Sequence, residues 1–242
     1  MSRIFATTSG KGGVGKSSVA TGLGFAFSSL GKSTLLIDMD EGLRCLDLLL
    51  GVDSQTVLDL ADALDSKDIS DIAYPCKKDN LFLLPAPLKV GKITPEGLKE
   101  FTSKAENIYD IIIFDFPAGL DFTLYEALPQ KTVFLCVANP DPVSVRDASF
   151  TGEKLHEMGL SARLIINRFD IKTHFKHKQK NIDGIIDTAS LRLLGIVPES
   201  KEITLLPLKH SFKKRKNVNK AFSRIAERLL DKNIPLERLK KI

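Results

Sequence analysis

The sequence predicts a doubly wound α/β fold, in which helices cover both faces of a mostly parallel β-sheet. Short apolar runs alternate with stretches of helical periodicity along the chain. Several runs are continuously apolar, which is typical of strands that are buried on both faces. We expect strands at residues 4–8, 34–38, 81–84, 110–115, 132–138, 163–167 and 193–197. We expect helices at residues 17–29, 55–64, 95–106, 143–158 and 218–231.

A phosphate-binding loop lies between the first strand and the first helix. Residues 10–17 match the pattern G-x-x-x-x-G-K-S, whose glycines let backbone N–H groups curl around a phosphate at a helix N-terminus. Lys16 is predicted to reach the β- and γ-phosphates, and the Ser17 hydroxyl to bind Mg²⁺. The sequence therefore predicts a P-loop NTPase. The residues expected to contact the nucleotide here are Gly10, Lys11, Gly12, Gly13, Val14, Gly15, Lys16, Ser17 and Ser18.

Carboxylates follow two other predicted strands. Asp38 and Asp40 come at the end of the second strand, and Asp115 ends a later apolar run in the Walker B manner, in which the acid holds Mg²⁺ directly or through water. Ligands of an open α/β sheet bind beyond the carboxyl ends of the strands. We therefore expect these carboxylates to surround the phosphate loop.

Taken together, these stretches resemble the MinD/ParA family of deviant Walker A ATPases. The second lysine of the loop, Lys11, is the most specific match. Further matches run in the family's order through most of the chain, at residues 37–51, 115–119, 138–147, 166–168 and 195–200. The segment at 43–51 favours the MinD branch of the family over the ParA branch.

The resemblance implies an ATP-bridged homodimer that hydrolyses ATP to ADP with Mg²⁺. Lys11 would reach the partner's phosphates, as an arginine finger does, and Asp40 would orient the attacking water. The catalytic residues would then be Lys11, Lys16 and Asp40. The residues at the metal would be Ser17, Asp115 and, in the second shell, Asp38.

The resemblance also implies where the nucleoside binds. Asn167 would read the adenine, since its amide both donates and accepts hydrogen bonds. Pro198, Glu199 and Ser200 would contribute backbone contacts to the base, and Asp141 would lie near the partner's ribose. Two positions depart from the MinD pattern: Cys45 replaces the usual asparagine, and Phe116 replaces a small serine.

Composition limits the class of protein. The 242 residues are 43% hydrophobic and 27% charged, and we expect one P-loop ATPase domain over residues 1–232. No apolar run approaches the ~20 residues that span a bilayer, and the first strand leaves no room for a signal peptide. Three scattered cysteines are too few for a disulfide framework or a zinc site. These features favour a cytoplasmic protein, with a peripheral position on the inner face of the cell membrane as a further expectation.

Basic side chains are concentrated in two runs and in the last segment. The formal net charge is +5, and the runs at 174–180 and 209–216 fit solvated loops, DNA contacts or contacts with an anionic membrane. In residues 233–242, Leu236, Leu239 and Ile242 recur at intervals of three beside Arg and Lys. This tail is interpreted either as a frayed end or as a short amphipathic segment that contacts a membrane.

Three kinds of function remain open on the sequence. The first is an ATPase switch of the MinD branch that positions the division septum, with slow hydrolysis stimulated by an activator protein. The second is a ParA-type partition ATPase that binds DNA nonspecifically. A flagellar-placement ATPase of the same family is a further alternative, which the sequence does not separate from the MinD branch. The third is a metabolic enzyme or a metal-cluster carrier that shares the fold. Cluster carriers of the family generally use a Cys-x-x-Cys pair, and the chain has no such pair.

Overall fold

A single β-sheet forms the centre of the fold in the computed structural model. The structure describes residues 2–66, 68–69, 71–76, 78–170, 182–200 and 216–236. Within these residues the sheet has eight strands in the order β3-β4-β2-β5-β1-β6-β7-β8. The strands are β1 (Arg3–Thr8), β2 (Thr34–Asp38), β3 (Tyr74–Pro75), β4 (Leu81–Leu84), β5 (Ile111–Asp115), β6 (Val133–Ala138), β7 (Ser161–Phe169) and β8 (Leu193–Pro198). The helices are α1 (Lys16–Ser29), α2 (Leu46–Leu50), α3 (Leu60–Asp65), α4 (Pro95–Ala105), α5 (Phe122–Ala127), α6 (Pro142–Glu157), α7 (Ile182–Ala189) and α8 (Lys216–Leu229).

The doubly wound fold is confirmed. All neighbouring strands are parallel except the short β3, which pairs with β4 in the antiparallel sense. Successive residues of a strand enter different cores: Ile112 and Phe114 of β5 lie in one hydrophobic cluster, whereas Ile111 and Ile113 lie in the other. Both faces are therefore buried, which explains the continuously apolar runs.

The order of the strands fixes where a ligand can bind. β1 lies between β5 and β6, and the chain builds outward from it in both directions. Such a reversal opens a crevice at the carboxyl ends of the central strands. The loop after β1 lies in that crevice.

Two helices begin with a proline preceded by a capping side chain. Thr94 accepts a hydrogen bond from the Gly97 N–H at the start of α4, and Asp141 accepts one from the Ser144 N–H at the start of α6. Each cap satisfies a donor that the first turn leaves unpaired. Among the described residues, no helix combines the length and the apolarity that crossing a membrane requires.

The helix expected at 55–64 is wrong in its boundaries. Residues 53–55 form a 3₁₀ turn, and Thr56 is extended, so the α-helix begins only at Leu60. Asp59 caps it, and Asp62 bonds back to the Asp59 N–H in a capping box. The short elements α2, α5, α7 and β3 were not predicted, because two to eight residues hold too little of a period to be recognised.

Parts of the predicted basic and tail segments lie outside the residues that the structure describes. The run at 174–180 and residues 209–215 of the second run lie outside the described residues. Residues 237–242 of the tail lie outside them as well. The predictions made for these segments remain predictions.

Candidate nucleotide-binding site

The loop between β1 and α1 is held in a conformation that requires glycine. Gly15 has a φ of 92°, in the left-handed region that side-chain-bearing residues rarely adopt. A Cβ atom at Gly15 would lie 2.4 Å from Nδ2 of Asn167, and one at Gly10 would lie 2.3 Å from Oδ1 of Asp147. The glycines thus allow the loop to pack between two polar side chains while its N–H groups curl at the helix N-terminus.

Lys16 places a buried cation at the first position of α1. Only 7% of the Lys16 surface is exposed to solvent. Burial lowers the pKa of its ammonium group, whereas the negative charges of Asp115, Asp40 and Asp147 oppose that shift. A positive charge partly removed from water, at the amino end of a helix, suits a phosphate ligand.

Asp115 lies fully buried at the carboxyl end of β5. The Thr7 hydroxyl donates to its Oδ1 atom at 2.6 Å, and the Ser17 hydroxyl also hydrogen-bonds to it. Burial raises the pKa of Asp115 to about 7, although the bonds from Ser17 and Thr7 favour the charged form. Hydroxyl and carboxylate oxygens are the ligands that Mg²⁺ prefers, so the Ser17–Asp115 pair fits the predicted metal.

Asp38 organises the turn that follows β2. Its Oδ1 accepts the Asp40 N–H at 3.0 Å, and its Oδ2 accepts the N–H groups of Cys45 and Leu46, both at 2.9 Å. Burial raises the pKa of this carboxyl group, and the three backbone bonds oppose the shift. In this structure Asp38 therefore positions the backbone of residues 40–46 beside the loop. Its predicted place near Mg²⁺ stays a prediction.

Asp40 and Glu41 lie on that turn with different surroundings. Asp40 is half-buried, and burial raises the pKa of its carboxyl group against the effect of Lys16. Glu41 accepts the N–H groups of Gly91, Lys92 and Ile93 at 2.7–2.9 Å. Glu41 thus ties the turn to a distant loop, a positioning contact that sequence reasoning missed.

Lys11 makes an ion pair within its own subunit. Its Nζ atom lies 3.1 Å from Oδ1 and 3.3 Å from Oδ2 of Asp141. Asp141 also accepts the Ser144 N–H as the cap of α6. The two residues that the resemblance directs to a partner subunit are therefore paired with each other in the single chain.

Asp147, on α6, fixes the first half of the loop. Its Oδ2 accepts the Ser9 hydroxyl at 2.9 Å and the Lys11 N–H at 3.1 Å. The same carboxylate packs against Gly10. Asp147 is a second residue of the site that the sequence analysis did not assign, although it ends one of the matched segments.

Asn167 and residues 198–200 lie on the other side of the loop. Asn167 is buried, and its Nδ2 group donates to the carbonyl oxygen of Val14 at 2.8 Å. The Glu199 N–H donates to the Phe169 carbonyl oxygen at 3.0 Å, which aligns the end of β8 with that of β7. The structure thus brings together the residues expected at the base, and their contact with adenine remains a prediction.

Both departures from the MinD pattern contact the site or its supports. Phe116 is buried edge-on against Tyr125 with ring centroids 4.7 Å apart, and the Tyr125 hydroxyl is hydrogen-bonded to that of Thr8. Cys45 has its Sγ atom 3.5 Å from Oγ of Ser17, and burial raises the pKa of its thiol to about 12. Phe116 is therefore accommodated in the core, and Cys45 is a neutral thiol beside the predicted metal ligand.

Comparison with known proteins gives concordant results at three levels. The family model for the CobQ/CobB/MinD/ParA nucleotide binding domain matches residues 5–213. The septum site-determining protein MinD of Thermotoga maritima is 32% identical, over 98% of this chain and 91% of that protein. The fold is similar to that of the MinC:MinD cell division protein complex of Aquifex aeolicus, with a TM-score of 0.85, 30% identity and coverage of 98% and 99%. It is also similar to the MinD structure with Mg-ADP from Pyrococcus horikoshii, with a TM-score of 0.80, 26% identity and coverage of 97% and 100%.

Proposed function

The chain belongs to the CobQ/CobB/MinD/ParA family of nucleotide-binding domains, and from this premise we propose that it is an ATP-driven dimerisation switch of MinD type that selects the division site. One observation carries the proposal: Lys16, Ser17 and Asp115 meet at the glycine loop. They do so in a chain whose MinD relative matches it over 98% of its length. ATP hydrolysis is the activity typical of the family.

The loop and its neighbours would hold the nucleotide with Mg²⁺. Backbone N–H groups of residues 10–18 and the Lys16 ammonium would bind the phosphates. The Ser17 hydroxyl and the Asp115 carboxylate would hold Mg²⁺, which when bound neutralises phosphate charge during transfer. Asn167 and residues 198–200 would bind the base. The Mg-ADP complex of the Pyrococcus horikoshii MinD supports this choice of ligand.

Dimerisation would complete the catalytic site. In the proposal Lys11 leaves Asp141 and reaches the phosphates bound by the partner subunit, where its charge stabilises the transition state. Asp40, half-buried on the turn after β2, orients the attacking water. The single chain lacks the cation from a neighbour, so hydrolysis by the monomer would be slow.

Surface binding and an activator would turn this reaction into a cycle. We infer that the ATP-bound dimer associates with an anionic membrane through residues 233–242, as a peripheral protein whose ATPase domain spans residues 1–232. Two weak tails act together in a dimer, since linked sites bind far more tightly than single ones.

A partner protein would stimulate ATP hydrolysis and the release of the dimer from the membrane. The MinC:MinD complex shows that a relative does assemble with another protein. Nonspecific DNA binding, the ParA-type alternative, has no comparable support.

Sizing by light scattering tests the proposal directly. The full chain is measured with Mg-ATP and with Mg-ADP, and in a second arm with vesicles of phosphatidylcholine and phosphatidylglycerol. We expect a dimer with ATP, a monomer with ADP, and sedimentation with vesicles only in ATP. A monomer in both nucleotides would refute the switch.

A further inference from the structure

A cationic groove lies at the amino ends of four neighbouring strands, at the edge of the sheet opposite the nucleotide site. It has a volume of about 660 Å³. Its floor includes Ile4, Phe5 and Leu194. Its described walls carry six cationic side chains and one carboxylate, that of Asp231. The cations are Arg3, Lys131, Arg163, Arg192, Arg228 and Lys232.

The topology explains why these cations meet. β1, β6, β7 and β8 are consecutive and parallel, so the residues that precede or begin them share one edge. Arg3 begins β1, Arg192 directly precedes β8, and Arg163 is the third residue of β7. The carboxyl end of α8 faces the same edge, where Arg3 donates to the Leu229 carbonyl oxygen at 2.7 Å. Carbonyl groups at a helix C-terminus favour nearby cations.

Two of the arginines carry charge that no carboxylate of the described residues offsets in an ion pair. Arg3 pairs with Asp231, Lys131 with Glu106, and Lys232 with Glu227. Among the residues that the structure describes, Arg163 and Arg192 take part in no ion pair. Arg163 donates to the Ala162 carbonyl oxygen, which leaves its net charge intact, and Arg192 is exposed. These two side chains are therefore cations of the groove whose charge no ion pair with a described residue offsets.

The segment after α8 leaves the domain along the same groove. Arg228 donates to the carbonyl oxygens of Ile234 and Pro235 at 2.8 and 2.7 Å, and to that of Leu194 at 2.7 Å. Ile234 and Leu236 line the groove, and Leu236 is 50% exposed. Arg228 therefore anchors the segment at the rim, so that an apolar side chain is presented beside the cations.

We propose that this groove binds the phosphate-bearing headgroups of anionic phospholipids, and that it forms part of the face that the protein turns to a membrane. The inference rests on the membrane association proposed above and adds a second contact to the tail. A bilayer surface is favoured over a free phosphate or a nucleic acid because cations and an exposed leucine stand side by side, as at the polar–apolar boundary of a lipid layer. The groove lies at the opposite end of the strands from the nucleotide, and β1 alone separates them by about 20 Å. Both sites can be occupied at once.

The test compares two double variants of the full chain in Mg-ATP. Arg163→Gln with Arg192→Gln removes the unpaired charges of the groove. Lys89→Gln with Lys99→Gln removes the same net charge from exposed residues that do not line it. Sedimentation with vesicles containing one third phosphatidylglycerol should show about a 20-fold lower partition coefficient for the groove variant. The control variant should stay within about twofold of the wild type, since only local charge is at issue.

The outcomes separate this inference from the proposed function. Wild-type protein that dimerises in ATP yet binds no vesicles would overturn the membrane part of the proposed function and this inference with it. Vesicle binding that is equal for wild type and both double variants would overturn the groove alone. Loss of DNA retention in the groove variant without loss of vesicle binding would show that the groove binds nucleic acid and would also overturn the proposal.

The single change Arg192→Gln, at an exposed side chain, provides a second variant that keeps the fold. It should bind the vesicles about fivefold more weakly than the wild type.

Discussion

The Nζ atom of Lys11 lies 3.1 Å from Oδ1 of Asp141 in the same subunit, with 37% and 40% of the two side chains exposed. If Lys11 acts on a partner's phosphates, this ion pair must open before the dimer forms. An exposed pair of this kind contributes no more than about 1 kcal/mol. The ion pair therefore holds Lys11 only weakly, and ATP binding and dimerisation can break it.

Removing the charge of Asp141 tests whether this ion pair restrains Lys11. Asp141→Asn keeps a side chain that can cap α6 but frees Lys11, so we expect dimerisation at ATP concentrations up to about fivefold lower. The matched control is Asp121→Asn, at a residue that caps α5 and forms no ion pair with a described lysine or arginine. Light scattering across an ATP titration measures both. Weaker dimerisation of the Asp141 variant would instead place this carboxylate in the interface as an attractive contact.

The two lysines of the loop should fail in different ways. Lys16 is buried at the start of α1, so Lys16→Ala should abolish nucleotide binding in calorimetry. Lys11 is turned toward Asp141, so Lys11→Ala should leave ATP affinity nearly unchanged while lowering turnover by about 10³-fold or more and preventing the dimer. Normal turnover by the Lys11 variant would rule out the role of this lysine across the dimer.

Gly15 and Gly12 provide a matched pair for testing the loop geometry. Gly15→Ala forces a Cβ atom into a left-handed φ of 92° and to within 2.4 Å of Nδ2 of Asn167. We expect it to lower the free energy of unfolding by about 1–3 kcal/mol and to weaken ADP binding strongly. Gly12→Ala meets its nearest described neighbour, the Ala118 Cβ, at 3.6 Å, so its stability should change by less than about 0.5 kcal/mol. Equal losses from denaturant unfolding would show that the loop relaxes in solution.

The fold and the centre of the site could be predicted because their signals are local. A glycine loop after a strand, and an aspartate that ends an apolar run, are written in consecutive residues. The supporting contacts are not local: the Lys11 N–H meets Asp147 across 136 positions, and Glu41 meets Gly91 across 50. The residue spacing within a single helix or strand carries no information about contacts between residues so far apart in the sequence.

The Lys11–Asp141 pair was missed for a different reason. The resemblance assigns both residues to contacts with a second subunit, which is a property of the ATP-bound dimer. In a single chain the ammonium and carboxylate groups are near neighbours, and their opposite charges attract each other. The boundaries of the predicted helix at 55–64 were wrong because the capping box at Asp59 starts the helix at Leu60, which the apparent periodicity does not record.

The last prediction concerns the pH dependence of stability. Burial raises the pKa of Asp115 from an ordinary 3.8 to about 7, so the folded protein binds this proton more tightly than the unfolded chain does. The contribution of Asp115 to the free energy of unfolding is therefore greatest below pH 4. It falls as the pH rises toward 7, by at most about 1.4 kcal/mol per pH unit, and is constant above.

Asp115→Asn removes the titrating carboxyl group while keeping an oxygen that can accept a hydrogen bond from the Thr7 hydroxyl. Urea unfolding without nucleotide or metal, at several pH values between 5 and 8, should show the wild type losing stability relative to the variant until about pH 7. Subtracting the two curves cancels titrating groups that do not interact with Asp115, Asp40 among them. Two parallel curves would mean that Asp115 is ionised throughout this range, and that Thr7 and Ser17 stabilise its charge more than burial disfavours it.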